Sequence, residues 1–239
     1  MSPREYPGKE LESFAAATVW KAYLARHLAP YLGRRVLEVG AGAGGTTRAL
    51  APTCRGEWWC LEPDPDLAQR IAEAIREGEL PARCHLLLGT LRDIPSGEQY
   101  DSILYSDVLE HIENDRDELA DAAERLAPGG HLVVIAPAHP WVFSPFDAAI
   151  GHRRRYVKRS LTALTPDALR LVRLIYLDAV GLLASVGNRS LLRREMPTRG
   201  QVLFWDRVLV RLSKVVDPLT GHRFGKSILG VWKESSGGR

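Results

Sequence analysis

Short apolar runs punctuate the first 140 residues at regular intervals: RVLEV at 35–39, WWCLE at 58–62, CHLLLG at 84–89, YDSILYSD at 100–107 and HLVVIAPA at 131–138. Runs of this length with nearly continuous apolar character predict strands covered on both faces. The segments between them change period. A helix is expected from the glycine cluster at 40–45 to about residue 50. Asp66 is placed to cap a helix that runs to about Glu77 and that Gly78 ends. A further helix is expected over 115–127, closed by Pro128-Gly129-Gly130. Strands alternating with helices predict βαβ units around a parallel sheet, with right-handed crossovers placing helices on both faces. Ahead of the first strand, Leu11, Phe14, Ala15, Val19, Tyr23 and Leu24 recur at helical spacing over 9–31, and Pro30 stops the run.

Beyond residue 139 the pattern differs. A polar loop rich in proline and arginine covers 139–159, strand six is expected at 169–178 and strand seven at 227–233. The stretch between them, about 180–226, is far longer than a hairpin needs. Within it, Leu203, Phe204, Val208, Leu209, Leu212, Val215 and Val216 fall at helical spacing, with Arg207, Arg211 and Lys214 opposite. The chain thus divides into an N-terminal helical cap (1–33), an α/β core (34–179), a helical insertion or lid (180–226), and the last strand and tail of the core (227–239). The insertion is expected to pack on the sheet or roof a pocket with its apolar stripe. A basic amphipathic helix of this kind can also rest on a membrane surface.

Composition narrows the class without naming a function. The 239 residues are 45% hydrophobic and 26% charged, which is ordinary for a globular domain, and a net charge of +3 is too weak by itself to imply nucleic acid. Cys54, Cys60 and Cys84 form no C-x-x-C and no metal-ligand spacing, so they read as buried free thiols in a reducing compartment. The N-terminus has no apolar signal core, and no stretch of about 18 apolar residues occurs. A cytoplasmic monomer or homodimer is expected.

The chemistry starts at Gly40-Ala41-Gly42-Ala43-Gly44-Gly45, where the first strand turns into a helix. Glycine is needed where the backbone turns tightly against a ligand, and the helix start leaves N–H groups for an anionic group. Alone, Gly40, Gly42 and Gly45 also satisfy the Gly-x-Gly-x-x-Gly of dinucleotide-binding proteins. Glu62 ends the second strand where either kind of cofactor needs a carboxylate for ribose hydroxyls.

Three further features point one way. Glu38 stands two residues before the first glycine. Strand four opens on Tyr100-Asp101 and ends in Ser106-Asp107-Val108-Leu109-Glu110-His111-Ile112. Leu126-Ala127-Pro128-Gly129-Gly130-His131-Leu132 leads into strand five. On these residues the chain, over about 34–138, resembles the class I S-adenosylmethionine (SAM) dependent methyltransferases. Trp141–Asp147 and Gly151–Arg159 resemble a bacterial subgroup described as type 11 or type 12. The resemblance implies an α/β, Rossmann-like doubly wound sheet of six parallel strands and one antiparallel, order 3-2-1-4-5-7-6, with the helical insertion between strands six and seven. It implies SAM as cofactor and S-adenosyl-L-homocysteine as product. By position, Gly40, Ala41, Gly42 and Gly44 would contact the methionine part, which Glu38 helps hold. Glu62 would take the ribose hydroxyls, Pro63 would pack near the adenine, and Ser106 and Asp107 would complete the cofactor site. Thr90-Leu91 follows strand three, where the family often has an aspartate for the adenine amino group. Thr90 departs from that pattern, and Asp93 is a possible substitute.

For the acceptor side, His111 and His139 are the candidate catalytic bases or orienting groups, each with an alternative reading as a structural histidine. His152, Arg155 and Tyr156 are candidate substrate-binding residues, for an acidic group that arginine suits; the alternative is a solvated charge run. Asp107, Glu110 and His111 share an acid-x-x-Glu-His spacing. Similar spacing occurs in ubiquinone-pathway O-methyltransferases that can use magnesium, and the same Val-Leu-Glu-His-Ile run occurs in many metal-free relatives, so no metal ligand is assigned. The expected function is transfer of methyl from SAM to oxygen of a small apolar acceptor bearing an acidic group. The alternatives are an RNA methyltransferase using the basic run on phosphates, and a non-catalytic SAM-binding protein. No nucleic-acid partner is expected.

Overall fold

The computed structural model describes residues 14, 16–191 and 197–235. Seven strands, β1 (Arg35–Val39), β2 (Glu57–Glu62), β3 (Cys84–Leu88), β4 (Tyr100–Ser106), β5 (Leu126–Pro137), β6 (Leu169–Leu177) and β7 (Ser227–Glu234), form one sheet in the order β3-β2-β1-β4-β5-β7-β6. The pairs from β3 through β5 are parallel, and β7 is antiparallel to both its neighbours. Successive residues of a strand face opposite sides, and both sides are packed. Val36, Trp58, Cys60, Leu104 and Val133 belong to one buried cluster. Leu37, Leu61, Ile103, Tyr105 and Leu132 belong to the other. All three cysteines are buried and free.

The helices are α1 (Thr18–Leu28), α2 (Gly45–Leu50), α3 (Pro65–Arg76), α4 (Asp115–Glu124), α5 (Pro145–Ala149), α6 (Lys158–Thr162), α7 (Ala179–Leu191), α8 (Arg199–Phe204) and α9 (Val210–Leu219), with a π-helical turn at Trp205–Leu209 joining α8 to α9. Of the helix expected over 9–31, the part before Phe14, and Ala15, lie outside the described residues. Its end is a 3-10 turn, Ala29–Tyr31, that takes in Pro30. The cap of α3 is Asp64 rather than Asp66. Its side chain accepts from the N–H groups of Asp66 and Leu67, because Pro65 has no N–H to offer and its preset φ suits the first helical position. The helix α4 stops at Glu124, short of the expected 127. Leu126 already pairs with Tyr100, and the Pro128-Gly129-Gly130 turn is absorbed as a bulge before Ser102 pairs with His131.

The insertion is helical, but it is rotated relative to its apolar stripe. Over 201–219 the buried side chains are Val202, Asp206, Val210, Ser213 and Asp217, whereas Phe204, Val208, Leu212, Val215 and Leu219 are exposed. The reason is hydrogen bonding. Asp217 accepts from the Tyr23 hydroxyl (2.8 Å) and from the Asp178 and Ala179 N–H groups (2.7 and 2.9 Å). Asp206 accepts from the N–H groups of Val19 (3.1 Å) and Trp20 (2.7 Å). Asp178 in turn accepts from Trp205 Nε1 (2.7 Å) and the Ser213 hydroxyl (2.7 Å). Buried carboxylates must keep such donors, so the polar face turns inward and ties the insertion to α1. Among the described residues, no helix is long and apolar enough to cross a membrane.

Candidate functional site

The parallel strands all end at one edge of the sheet, and a cavity of about 460 Å3 opens there. One end of it is made by the β1–α2 turn. Gly40, Gly42 and Gly44 have φ of 66°, 58° and 73°, a region that side chains with a Cβ avoid. A Cβ on Gly40 would also stand 2.7 Å from Val108 Cγ2. The N–H groups of Gly40 and Ala41 donate to the Leu61 carbonyl (2.8 and 3.1 Å), which anchors the turn to β2. Glu62 then faces the cavity from the end of β2 and accepts from the N–H of Gly42 (2.6 Å) and of Asp64 (3.0 Å). Burial raises its pKa, against these hydrogen bonds. Pro63, Ser106 and Asp107 also line the cavity, and Asp107 holds φ of 55°.

Glu38 and Gly44 lie outside the lining. The Glu38 carboxylate is buried under the turn, where it accepts from the Thr47 hydroxyl (2.6 Å) and Trp58 Nε1 (2.9 Å). Burial pushes its pKa up to about 7. Thr90 and Leu91 are not brought to the cavity either. The exposed Thr90 donates its N–H and hydroxyl to Asp93 Oδ2 (2.8 Å each), capping the turn that follows β3, and Leu91 is buried in the core. The Asp93 carboxylate is therefore already engaged by Thr90, which lowers its pKa.

Aromatic side chains line the cavity as well, Trp20 of α1, Phe146 of α5 and Trp205 of the insertion, with the Trp20 and Trp205 ring centroids 5.8 Å apart. Of the acceptor-side candidates, His111, His152 and Arg155 line it. Burial lowers the His111 pKa to about 4, so the ring is neutral at physiological pH. Arg155 is not free for a ligand. It donates Nε and an NH2 to the two Asp147 oxygens (2.9 Å each) and NH1 to the Ala138 carbonyl (3.2 Å). Burial works to raise the Asp147 carboxyl, but hydrogen bonds from His152, Arg155 and Ser144 hold it well below the usual range.

His139 and Tyr156 are not brought to the cavity. His139 stacks on the Tyr176 ring (centroids 4.7 Å apart) at φ 63° and does not line the cavity. Tyr156 is buried, and its hydroxyl donates to Asp115 Oδ2 at 2.9 Å. An isolated bridge between Ala138 and Tyr156 pulls this part of the loop onto the sheet, which turns the tyrosine into the core. Arg153 and Arg154 bond the carbonyls of His111 (3.1 Å) and Glu113 (2.8 Å), so the arginine run fastens the loop to the β4–α4 turn.

Lys21 and Lys226, which sequence reasoning did not single out, also line the cavity. Lys226 Nζ stands 4.6 Å from the Trp205 ring centroid, and burial lowers its pKa. A signal for it existed. Lys226 directly precedes β7, and an antiparallel strand begins at the edge where its parallel neighbours end.

Residues 37–132 match the family described as Methyltransf_12, methyltransferase domain. Over 138 residues the chain is 35% identical to the tRNA U34 carboxymethyltransferase of Syntrophotalea carbinolica, covering 57% of this chain and 41% of that protein. It is 32% identical over 141 residues to the demethylmenaquinone methyltransferase of Tropheryma whipplei, covering 56% and 55%. The chain thus spans about half the length of these curated relatives, or less. Among solved structures it is similar to coclaurine N-methyltransferase bound to N-methylheliamine and S-adenosylhomocysteine (TM-score 0.60, 16% identity, 91% of this chain and 72% of that one). It is also similar to the N-methyltransferase NodS of Bradyrhizobium japonicum with S-adenosylhomocysteine (TM-score 0.55, 16% identity, 97% and 90%). The chain shares the fold of these solved methyltransferases, and its segment 37–132 matches the methyltransferase-domain family model.

Proposed function

We propose that this chain transfers a methyl group from SAM to an oxygen of a small, largely apolar acceptor that carries an acidic group. The observation that supports the reading is a cavity lined both by a glycine turn with Glu62 and by aromatic side chains with Lys226. Its size suits small ligands. The residues there fit SAM: Gly40, Ala41, Gly42 and Gly45 line the space without long side chains, and the Glu62 carboxylate faces it as an acceptor for hydroxyls. When bound, SAM supplies a methyl already activated by its positive sulfur. The protein must then mainly orient the acceptor and keep water out. Trp20, Phe146 and Trp205 serve exclusion. Lys226 offers a cation to an acidic group, with desolvation strengthening the attraction. An acceptor hydroxyl would release its proton on the side of the cavity that His111 lines.

The relative that acts on tRNA raises RNA as a second acceptor class. The arginine run that would carry it is spent internally on Asp147, Asp115 and backbone carbonyls, which favours the small molecule. The test is calorimetric titration with SAM and S-adenosylhomocysteine, beside a Glu62→Ala control. Micromolar binding is expected, weakened by about 100-fold in the control because two hydrogen bonds to a charged acceptor are lost. Equal binding by Glu62→Ala would overturn the cofactor assignment. Labelled SAM with acidic apolar acceptors then tests the acceptor class, and Lys226→Met should raise KM for those acceptors more than it lowers kcat.

A further inference from the structure

Glu110 is the most unusual side chain next to the cavity. It is 0% exposed, and among the described residues neither carboxylate oxygen has a hydrogen-bond partner in another residue. A buried carboxylate without donors is costly unless a cation or a proton neutralises it. Beside it stand two imidazoles. His152 Nε2 lies 3.5 Å from Glu110 Oε1, and the His111 and His152 rings are 4.7 Å apart between centroids. One ligand atom from each of Glu110, His111 and His152 lies within 4.8 Å of the others. Ligands of a shared ion with bonds of about 2.0–2.2 Å lie roughly 3–4 Å apart, so a small inward shift would close the set.

The surroundings are built as a metal site's outer shell is. A metal-ligating histidine donates its second ring nitrogen to a carboxylate or a carbonyl, which fixes its orientation. His152 Nδ1 is 2.9 Å from Asp147 Oδ1, and that carboxylate is itself held by Arg155 and by the N–H and hydroxyl of Ser144 (2.8 Å each). The His111 ring bonds the backbone of Gly151. Both rings therefore have an outer partner. His111, His152 and the nearby Asp107 also face the cavity, so the cluster opens onto the space assigned to the acceptor.

We infer that Glu110, His111 and His152 bind a divalent first-row transition ion, with an open position toward the cavity that takes an oxygen of the ligand there. Two imidazoles and one carboxylate suit zinc, manganese, iron or cobalt better than magnesium or calcium, which prefer all-oxygen sets. Ion binding stands on these side chains alone; the role toward the acceptor rests on the methyltransferase reading above. The experiment strips the full chain with a chelator, then titrates it with Zn2+ and Mn2+ by calorimetry and with Co2+ by visible absorption. Glu110→Gln and His152→Gln follow, with circular dichroism to confirm the fold. S-adenosylhomocysteine binding is measured on the same samples. The expected result is one ion per chain at micromolar affinity, weakened by about 100-fold or more in each folded variant, beyond the ~10–100-fold typical of outer-shell losses. Absence of binding below about 1 mM in the native chain, or equal binding by a folded variant, overturns the site. S-adenosylhomocysteine binding without ion binding overturns the metal site alone; ion binding without S-adenosylhomocysteine binding overturns the methyltransferase reading and leaves the metal site standing.

Discussion

Replacing Asp206 with alanine removes a cap that comes from the far end of the chain. The first turn of α1 has no capping side chain of its own. Its Thr18 and Lys21 N–H groups reach the Ala16 and Ala17 carbonyls, but those of Val19 and Trp20 depend on Asp206, which is completely buried. Alanine would leave two N–H groups without partners. Each such loss costs about 1–3 kcal/mol, and partial relaxation brings the pair to roughly 2–4 kcal/mol. For a chain of this size, that corresponds to a fall in Tm of about 5–15 °C. Asp206→Asn keeps one carbonyl oxygen, so about half the loss is expected. The assay is thermal unfolding followed by tryptophan fluorescence and by calorimetry. Because Trp20 and Trp205 roof the cavity from the two tied elements, acceptor binding should weaken in parallel. A Tm within about 2 °C of the native chain for Asp206→Ala would refute the assignment of this carboxylate as the tie.

Three other outcomes are expected. The Glu38 pKa lies at about 7 in the folded chain because burial raises it. Its contribution to stability is therefore full below the ordinary value near 4.5 and is lost as pH rises from there through 7, by up to about 3 kcal/mol; Glu38→Gln should flatten that slope in pH-dependent urea unfolding, and an unchanged slope would contradict the reading. Asp147→Asn leaves the buried Arg155 unpaired and should cost about 3–5 kcal/mol by denaturant unfolding. Since the Asp147 pKa is depressed, its stabilisation holds above the ordinary carboxylate range and is lost as pH falls, a loss the asparagine variant should not show. Val215→Ser and Leu219→Ser should each change stability by no more than about 0.5 kcal/mol, since both side chains are exposed; larger losses would return the apolar stripe to the core.

Local physics made much of the fold legible in the sequence. Strand positions, the glycine turn and Glu62 are set by periodicity and by backbone demands within a few residues. The resemblance carried on Glu38, Ser106–Ile112 and Leu126–Leu132 supplied the strand order. Tertiary structure decided what depends on partners distant in the chain. Which face of the insertion is buried turned on Asp206, Asp217 and Ser213, whose partners lie in α1 and beside β6, so an apolar stripe that is usually a core face stayed outside. His139 and Tyr156 share a loop with His152 and Arg155, yet one bridge to Ala138 turned the tyrosine into the core. Lys226 came to the cavity through the antiparallel run of β7, and Glu110 met His152 only because the arginine run folds back on the β4–α4 turn. Hydrophobic periodicity encodes burial on average. The pairing of buried charges is a property of three-dimensional neighbours, and no spacing along the chain specifies it.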